Sequence, residues 1–344
     1  MKTLYVIGNG FDIHHGLNTR YQLFADYLAE NNEDIYDLLL NYYGLPDIKS
    51  FSLSDEEYAL WSRFEEALAE LDYKTVLEDN RDLIANPASE DFRDRDWHAF
   101  QIQMEEVINQ LTTRLIDAFN QFILAVDYPE VESCSLLHLD EGSVFLSFNY
   151  TETLQRIYGI PDEKICYIHE KAGNETSNLI LGHGIDPDSF IEPEEKPPVG
   201  LSEEELREWY DWKANEYDYS FQSAKDELLR YYTEAFKDTI SVIHEHEDFF
   251  SNLSGVSKIV VLGHSISDVD MNYFKELKER VSKNVDWIAS YYSDWEKQKH
   301  LEALVSLGID EDKIEQIQMK DLLVNHAEST DEEGQPCNSE ARQI

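Results

Sequence analysis

The chain has 344 residues, 42% of them hydrophobic, and its 71 acidic against 28 basic side chains give a formal net charge of −43. That length fits one large domain or two ordinary ones with a substantial core. The charge repels phosphate backbones over most of the surface. It excludes general nucleic-acid binding, which rests on lysine and arginine.

In chain order, the first apolar run, Leu4–Ile7, reads as a buried strand and breaks into Gly8-Asn9-Gly10-Phe11-Asp12. Thr19-Arg20-Tyr21-Gln22 has the form of a capping box opening a helix through Tyr27. More than a hundred residues of helical character follow. "DEEYALWSRFEEALAELD" places Leu60, Phe64, Ala67, Leu68 and Leu71 at helical spacing, and "WHAFQIQMEEVINQLTTRLIDAFNQFILAV" continues the pattern. Val144–Phe148 predicts a second strand, after which Thr151 is placed to cap a helix carrying Leu154, Ile157 and Tyr158. Ile165–Ile168 and Leu179–Leu181 read as further strands. From Pro193 to about Leu253 a helical segment exposes glutamates and is expected to bury Trp209, Trp212 and Tyr217. Ile259–Leu262 and Trp287–Tyr291 complete the strands, with helices expected after Met271 and after Asp294.

Short β-branched and aromatic runs alternating with helices predict a doubly wound, mostly parallel Rossmann-like α/β sheet with two large helical insertions. The domain reading is 1–20 and 140–325 for the nucleotide-binding domain, 21–139 for the first insertion and 193–255 for the second. The polar end, 327–344, reads as a disordered acidic tail. Cys134, Cys166 and Cys337 are scattered and form no C-x-x-C, which fits a reducing compartment and argues against a cysteine-rich zinc site. With no signal-peptide pattern and no apolar run near the roughly 20 residues of a membrane span, the expectation is a cytoplasmic protein without membrane association.

Four clusters follow predicted strands. Gly8-Asn9-Gly10-Phe11-Asp12 is short of the G-x-G-x-x-G fingerprint, since Ile13 stands where the last glycine is required. It suits either a tight turn or close backbone approach to a nucleotide. Asn149, in Phe148-Asn149-Tyr150-Thr151, is either a cap or an amide that orients a ligand or water. His169 is either a hydrogen-bonded core histidine or a general base, with His183 between Gly182 and Gly184 as a second candidate. Gly263-His264-Ser265-Ile266-Ser267-Asp268-Val269-Asp270 is either a helix cap or a nucleotide wall with a ribose-binding aspartate. His14/His15 and His244/His246 lack the i, i+4 spacing of a helical metal site, and no metal is expected. All four clusters fall where open α/β sheets bind ligands.

The segments "VIGNGFDIHHGLNTRYQLFADYL", "FLSFNYTETLQRIYG", "YIHE" and "VVLGHSISDVDMNYF" together resemble the bacteriophage abortive-infection AbiH family over nearly the whole chain. Their order also resembles a diverged sirtuin-like fold, whose members in prokaryotic defence bind and in several cases hydrolyse NAD. That resemblance implies catalytic roles for Asn149, His169 and Asp12. It implies NAD contacts from Gly8, Asn9, Gly10, Phe11, Tyr150, Gly263, His264, Ser265 and Asp268. Glu170 stands where the family commonly has glycine. The implied activity is an anti-phage effector that cleaves the N-glycosidic bond of NAD as a glycohydrolase-type hydrolase. The implied partners are a small-molecule nucleotide, a phage-derived or defence-system protein trigger, and a second copy of the chain. Two alternatives stay open: a nucleotide-sensing module without turnover, and a nuclease in which a divalent metal bridges Asp268 and Asp270.

Overall fold

The computed structural model describes residues 2–132, 135–140, 142–173, 178–193 and 195–323. The tail read at 327–344, Cys134 and Cys337 lie outside the described residues. Six strands form one sheet: β1 Lys2–Ile7, β2 Val144–Ser147, β3 Ile165–Tyr167, β4 Val256–Leu262, β5 Asp286–Ser290 and β6 Ile314–Ile317. Every pairing is parallel, and the order is β3-β2-β1-β4-β5-β6. This is a Rossmann-like arrangement. All six strands therefore end on one edge, and the order reverses between β1 and β4.

β1 is apolar without alternation because both of its faces are covered: Leu4, Tyr5, Val6 and Ile7 are all buried. Tyr5 and Ile7 point to one face with Phe11, Leu137, Phe145, Leu154, Val260 and Leu262, and Tyr5 stacks on Phe145. His15 lies against this cluster, its ring packed on Phe11 and Tyr158. Its Nδ1–H donates to the Phe11 carbonyl and its Nε2 accepts from the Tyr158 hydroxyl, both at 2.7 Å.

The chain divides into two compact units. One holds the residues before Tyr21, residues 121–179 and those from Asp238 on, and contains the sheet. The other comprises Tyr21–Asn120 and Ile180–Lys237 and is helical. In the helical unit, Tyr21, Phe24, Trp61, Phe64 and Phe119 pack ring against ring, and Trp61 Nε1 donates to the Pro46 carbonyl. The helix Ala99–Asn109 packs along Tyr219–Leu229.

Several expectations need correction. Leu179–Leu181 is not a strand; Gly182 and His183 instead sit against the backbone of Ala235 in the helical unit. Ile314–Ile317 is a strand that periodicity missed, because an edge strand with polar Glu315 and Gln316 lacks the apolar run of a buried one. Thr19 donates its hydroxyl to Asn9 Oδ1 at 2.5 Å rather than capping the next helix. Thr151 does not cap Thr153–Tyr158, whose N-cap is Glu152. Trp212, in the helix Glu203–Glu216, and Tyr217, just after it, are exposed, and Trp209 is half-buried, where all three were expected to be buried.

At the strand reversal, two loops touch backbone to backbone. Gly8 N donates to the Leu262 carbonyl at 2.9 Å and Gly10 N to the Gly263 carbonyl at 2.7 Å. A Cβ on Gly8 would lie 2.6 Å from His264 Cα, and one on Gly10 would lie 2.8 Å from Gly263 Cα. Gly263 has φ of +65° and a Cβ there would lie 2.2 Å from Phe11 N. Gly263→Ala combines a left-handed L-residue with overpacking and is expected to cost about 2–4 kcal/mol. Gly255→Ala, where nothing lies within 4 Å, should stay within about 0.5 kcal/mol of the parent. Urea unfolding of both variants checks this; equal midpoints would remove the crossing as the reason for these glycines.

Candidate functional site

The loops after β1, β2, β3 and β4 bring one group of polar side chains together. Asp12, Asn149, His169, His264 and Asp270 are each no more than 8% exposed. Asp12 is in the short helix Asn9–His14 directly after β1. Asn149 follows β2, where its N–H donates to Ser147 Oγ at 3.2 Å, and Phe148 N donates to the Ile7 carbonyl. His169 follows β3, held by Ile168 N donating to the Ser147 carbonyl. His264 follows β4, and Asp270 closes the one-turn helix Asp268–Asp270.

Two subsites are visible. In the first, Thr151 Oγ1 donates to Asp12 Oδ2 at 2.6 Å and lies 3.0 Å from Thr153 Oγ1. Burial pushes the Asp12 carboxyl up to about 6, against Thr151, Thr153 and Asn149, which favour the ionised form. Asp12 Oδ1 and both ends of the Asn149 amide are buried and complete no hydrogen bond of ordinary geometry, although the amide lies near enough to the carboxylate to favour its ionised form. Buried polar atoms are nearly always paired, so orphaned ones call for an explanation such as a ligand contact. In the second subsite, Asp270 lies between two imidazoles. Its Oδ1 is 3.6 Å from His169 Nε2 and its Oδ2 is 3.4 Å from His264 Nε2. The Phe148 ring packs edge-on against both imidazoles, at 5.1 and 4.3 Å between centroids, and Tyr150 and Tyr273 flank His169.

The remaining sequence candidates separate from this group. Gly8, Gly10 and Gly263 serve the loop crossing, because backbone fills the space their missing side chains leave. Asn9 is tied to Thr19 through both ends of its amide. Phe11 is a core residue. Ser265 and Asp268 are exposed, whereas Asp270, given a role above only as a metal bridge, points inward. Glu170 is exposed at φ +61° and lines a 540 Å³ groove with Cys166 and His246, not the buried cluster. His183 is buried among Phe190, Tyr231, Tyr232 and Phe236 of the helical unit. His15, one of the adjacent pair that lacks metal spacing, is a satisfied core histidine; burial lowers it to about 4. The one signal that pointed to Asp270 was its place in the segment after the strongest strand.

Among the described residues, no group of three or more His, Cys, Asp or Glu side chains is arranged to hold a metal ion. Among them too, no helix is long and apolar enough to cross a membrane.

The fold and site define a parallel α/β protein with a polar cluster at the carboxyl ends of its central strands, where ligands bind in such sheets. The chain belongs to the bacteriophage abortive infection AbiH family, whose family model matches residues 4–291. That span runs from within β1 through β5 and includes every residue of the cluster, and membership gives the protein a role in abortive infection of phage. No curated protein and no solved structure matches the chain.

Asp12 links the site to pH. The fold takes up a proton near pH 6, whereas the unfolded chain does so only near its ordinary value of 3.8. Folding therefore binds a proton between these values, and Asp12 makes the protein more stable as pH falls through 6, by about 3 kcal/mol in full. His15 acts oppositely: the unfolded chain protonates near 6.5 and the fold near 4, so its contribution is lost as pH falls across that window. Asp12→Asn retains His15, so the difference between the two proteins isolates Asp12. At pH 7.5 the variant is expected to be the more stable, with the gap closing by pH 4 in urea unfolding; a constant gap would show that Asp12 does not titrate in this range.

Proposed function

We propose that this Rossmann-like sheet is a diverged sirtuin-like NAD-binding fold and that the protein defends against phage by hydrolysing NAD to nicotinamide and ADP-ribose. The observation that carries the reading is the trio of orphaned buried atoms, Asp12 Oδ1 and the two ends of the Asn149 amide, beside the reversal of strand order. Dinucleotides bind at that point in sheets of this order.

In this reading the bond between ribose C1′ and the nicotinamide nitrogen breaks, and the bonding pair leaves with nicotinamide. C1′ becomes cation-like as it departs. The Asp12 carboxylate, mostly ionised at neutral pH with its value about 6, stabilises that charge, as carboxylates do in glycoside hydrolysis. The Asn149 amide orients the ribose or the attacking water. Water adds its oxygen to C1′, and His169 accepts the released proton. Tyr150 and His264 line the cluster, Gly8, Gly10 and Gly263 act by letting the two loops meet, and Asn9, tied to Thr19, and Phe11, in the core, brace the loop that carries Asp12. Ser265 and Asp268, at the exposed rim, are left to the adenosine end. The cluster is sealed from bulk water, so substrate entry requires an opening step, which suits an effector held inactive until a phage-derived or defence-system protein acts on it.

The same burial favours one second reading, a nucleotide sensor that binds and signals without turnover. Incubating purified protein with NAD, alone and with phage-infected lysate, and following nicotinamide separates the two. The hydrolase reading expects product that falls about 100-fold or more in Asn149→Ala and declines below pH 6 as Asp12 protonates. Calorimetric NAD binding with no product in any condition would replace the hydrolase by the sensor.

A further inference from the structure

The buried carboxylate of Asp270 is not used by the chemistry above, yet it faces both imidazoles of the cluster. We infer that Asp270 is the positioning residue of His169, holding the ring as the tautomer protonated at Nε2.

The first argument is electrostatic. A carboxylate oxygen 3.6 Å from His169 Nε2 repels a lone pair at that nitrogen and favours a proton there. In a site with little water this preference is stronger than in solution. A neutral imidazole carries one ring proton, so the other nitrogen keeps its lone pair.

The second argument comes from His264 at the other carboxylate oxygen. Ile266 N–H donates to His264 Nδ1 at 2.9 Å. That nitrogen is therefore an acceptor, and in the neutral ring the proton must be on Nε2, which lies 3.4 Å from Asp270 Oδ2. Two Nε2–H groups then face the two oxygens of one carboxylate, one per oxygen. The same tautomer keeps His264 Nε2 from offering a lone pair to a cation, so the trio is a fixed orienting array and not a metal ligand set. The chain accepts strain to build it: Ile266, β-branched and buried, sits at φ +47°, a left-handed conformation unfavourable for such residues. In this conformation its N–H meets the ring.

The third argument is packing. Phe148 between the imidazoles, with Tyr150 and Tyr273 beside His169, restricts rotation of the ring. A ring flip would exchange the nitrogens at the carboxylate, so aromatic packing and charge select one orientation together.

The catalytic consequence rests on the hydrolase reading, but the tautomer does not, and the two are measured separately. Long-range 15N–1H spectra of the full chain labelled at histidine, with the His169 signals assigned by their loss in His169→Gln, report which nitrogen is protonated. The inference expects Nε2 protonated and Nδ1 unprotonated in the wild-type protein. It also expects a changed tautomer balance at His169 in Asp270→Asn, while Asp268→Asn, an exposed neighbour, leaves it unchanged. Turnover in Asp270→Asn should fall about 10- to 100-fold through kcat with little change in KM. A His169 protonated at Nδ1 in the wild-type protein overturns the inference, even should Asp270→Asn fail to fold. An unchanged tautomer in a folded Asp270→Asn overturns it as well. The expected tautomers in a protein that never releases nicotinamide would support the positioning and refute only the hydrolase.

Discussion

The central constraint is the approach of two backbones. Where β1 and β4 end, the chain after each strand passes close enough for Gly10 N–H to donate to the Gly263 carbonyl at 2.7 Å. No side chain fits between them at Gly8, Gly10 or Gly263. The contact is extended by Gly263 N–H donating to Ser290 Oγ at 2.8 Å, which ties the end of β5 to the same crossing. Because the crossing is closely packed and hydrogen-bonded, Asp12, two residues beyond Gly10, and His264, one residue beyond Gly263, are held at defined places on the sheet edge. The glycines thus act on the site at one remove, through the geometry of their neighbours.

The buried polar groups of this unit fall into two kinds. His15 is fully satisfied, with one ring nitrogen on a carbonyl and the other on a tyrosine hydroxyl, and so secures the core. Asn149 is equally deep and satisfies neither end of its amide, while Asp12 spends one oxygen on Thr151 and leaves the other without a hydrogen bond. Leaving a buried polar atom unpaired costs about 1–3 kcal/mol, so the cluster opposes stability. Asp12 adds to that cost at neutral pH, since its burial disfavours the ionised form. Departures from local consistency of this sort concentrate at functional sites.

The legible parts of the fold were those with a local signal. Strands β1 to β5 announced themselves as short β-branched or aromatic runs, with ends one to three residues from those expected. The errors have physical causes. Leu179–Leu181 has the composition of a strand but joins no sheet, because pairing depends on partners that periodicity cannot see. β6 has partners but lies at the edge, so its composition is half polar. Thr19 and Thr151 each had good capping chemistry and each spent its hydroxyl elsewhere, on Asn9 and on Asp12. Those partners lie 10 and 139 residues away along the chain.

The sequence alone determined a parallel α/β sheet, the position of four chemistry-bearing loops at strand ends and the membership in an abortive-infection family, because strand composition and motif order are local properties of the chain. It also placed Asp12, Asn149 and His169 among the candidates. Tertiary structure decided which members of each loop face inward: Asp270 rather than Asp268, His264 rather than Ser265, and His169 without Glu170. Adjacent residues in a loop point in different directions, and the choice among them depends on which long-range backbone contact pins the loop.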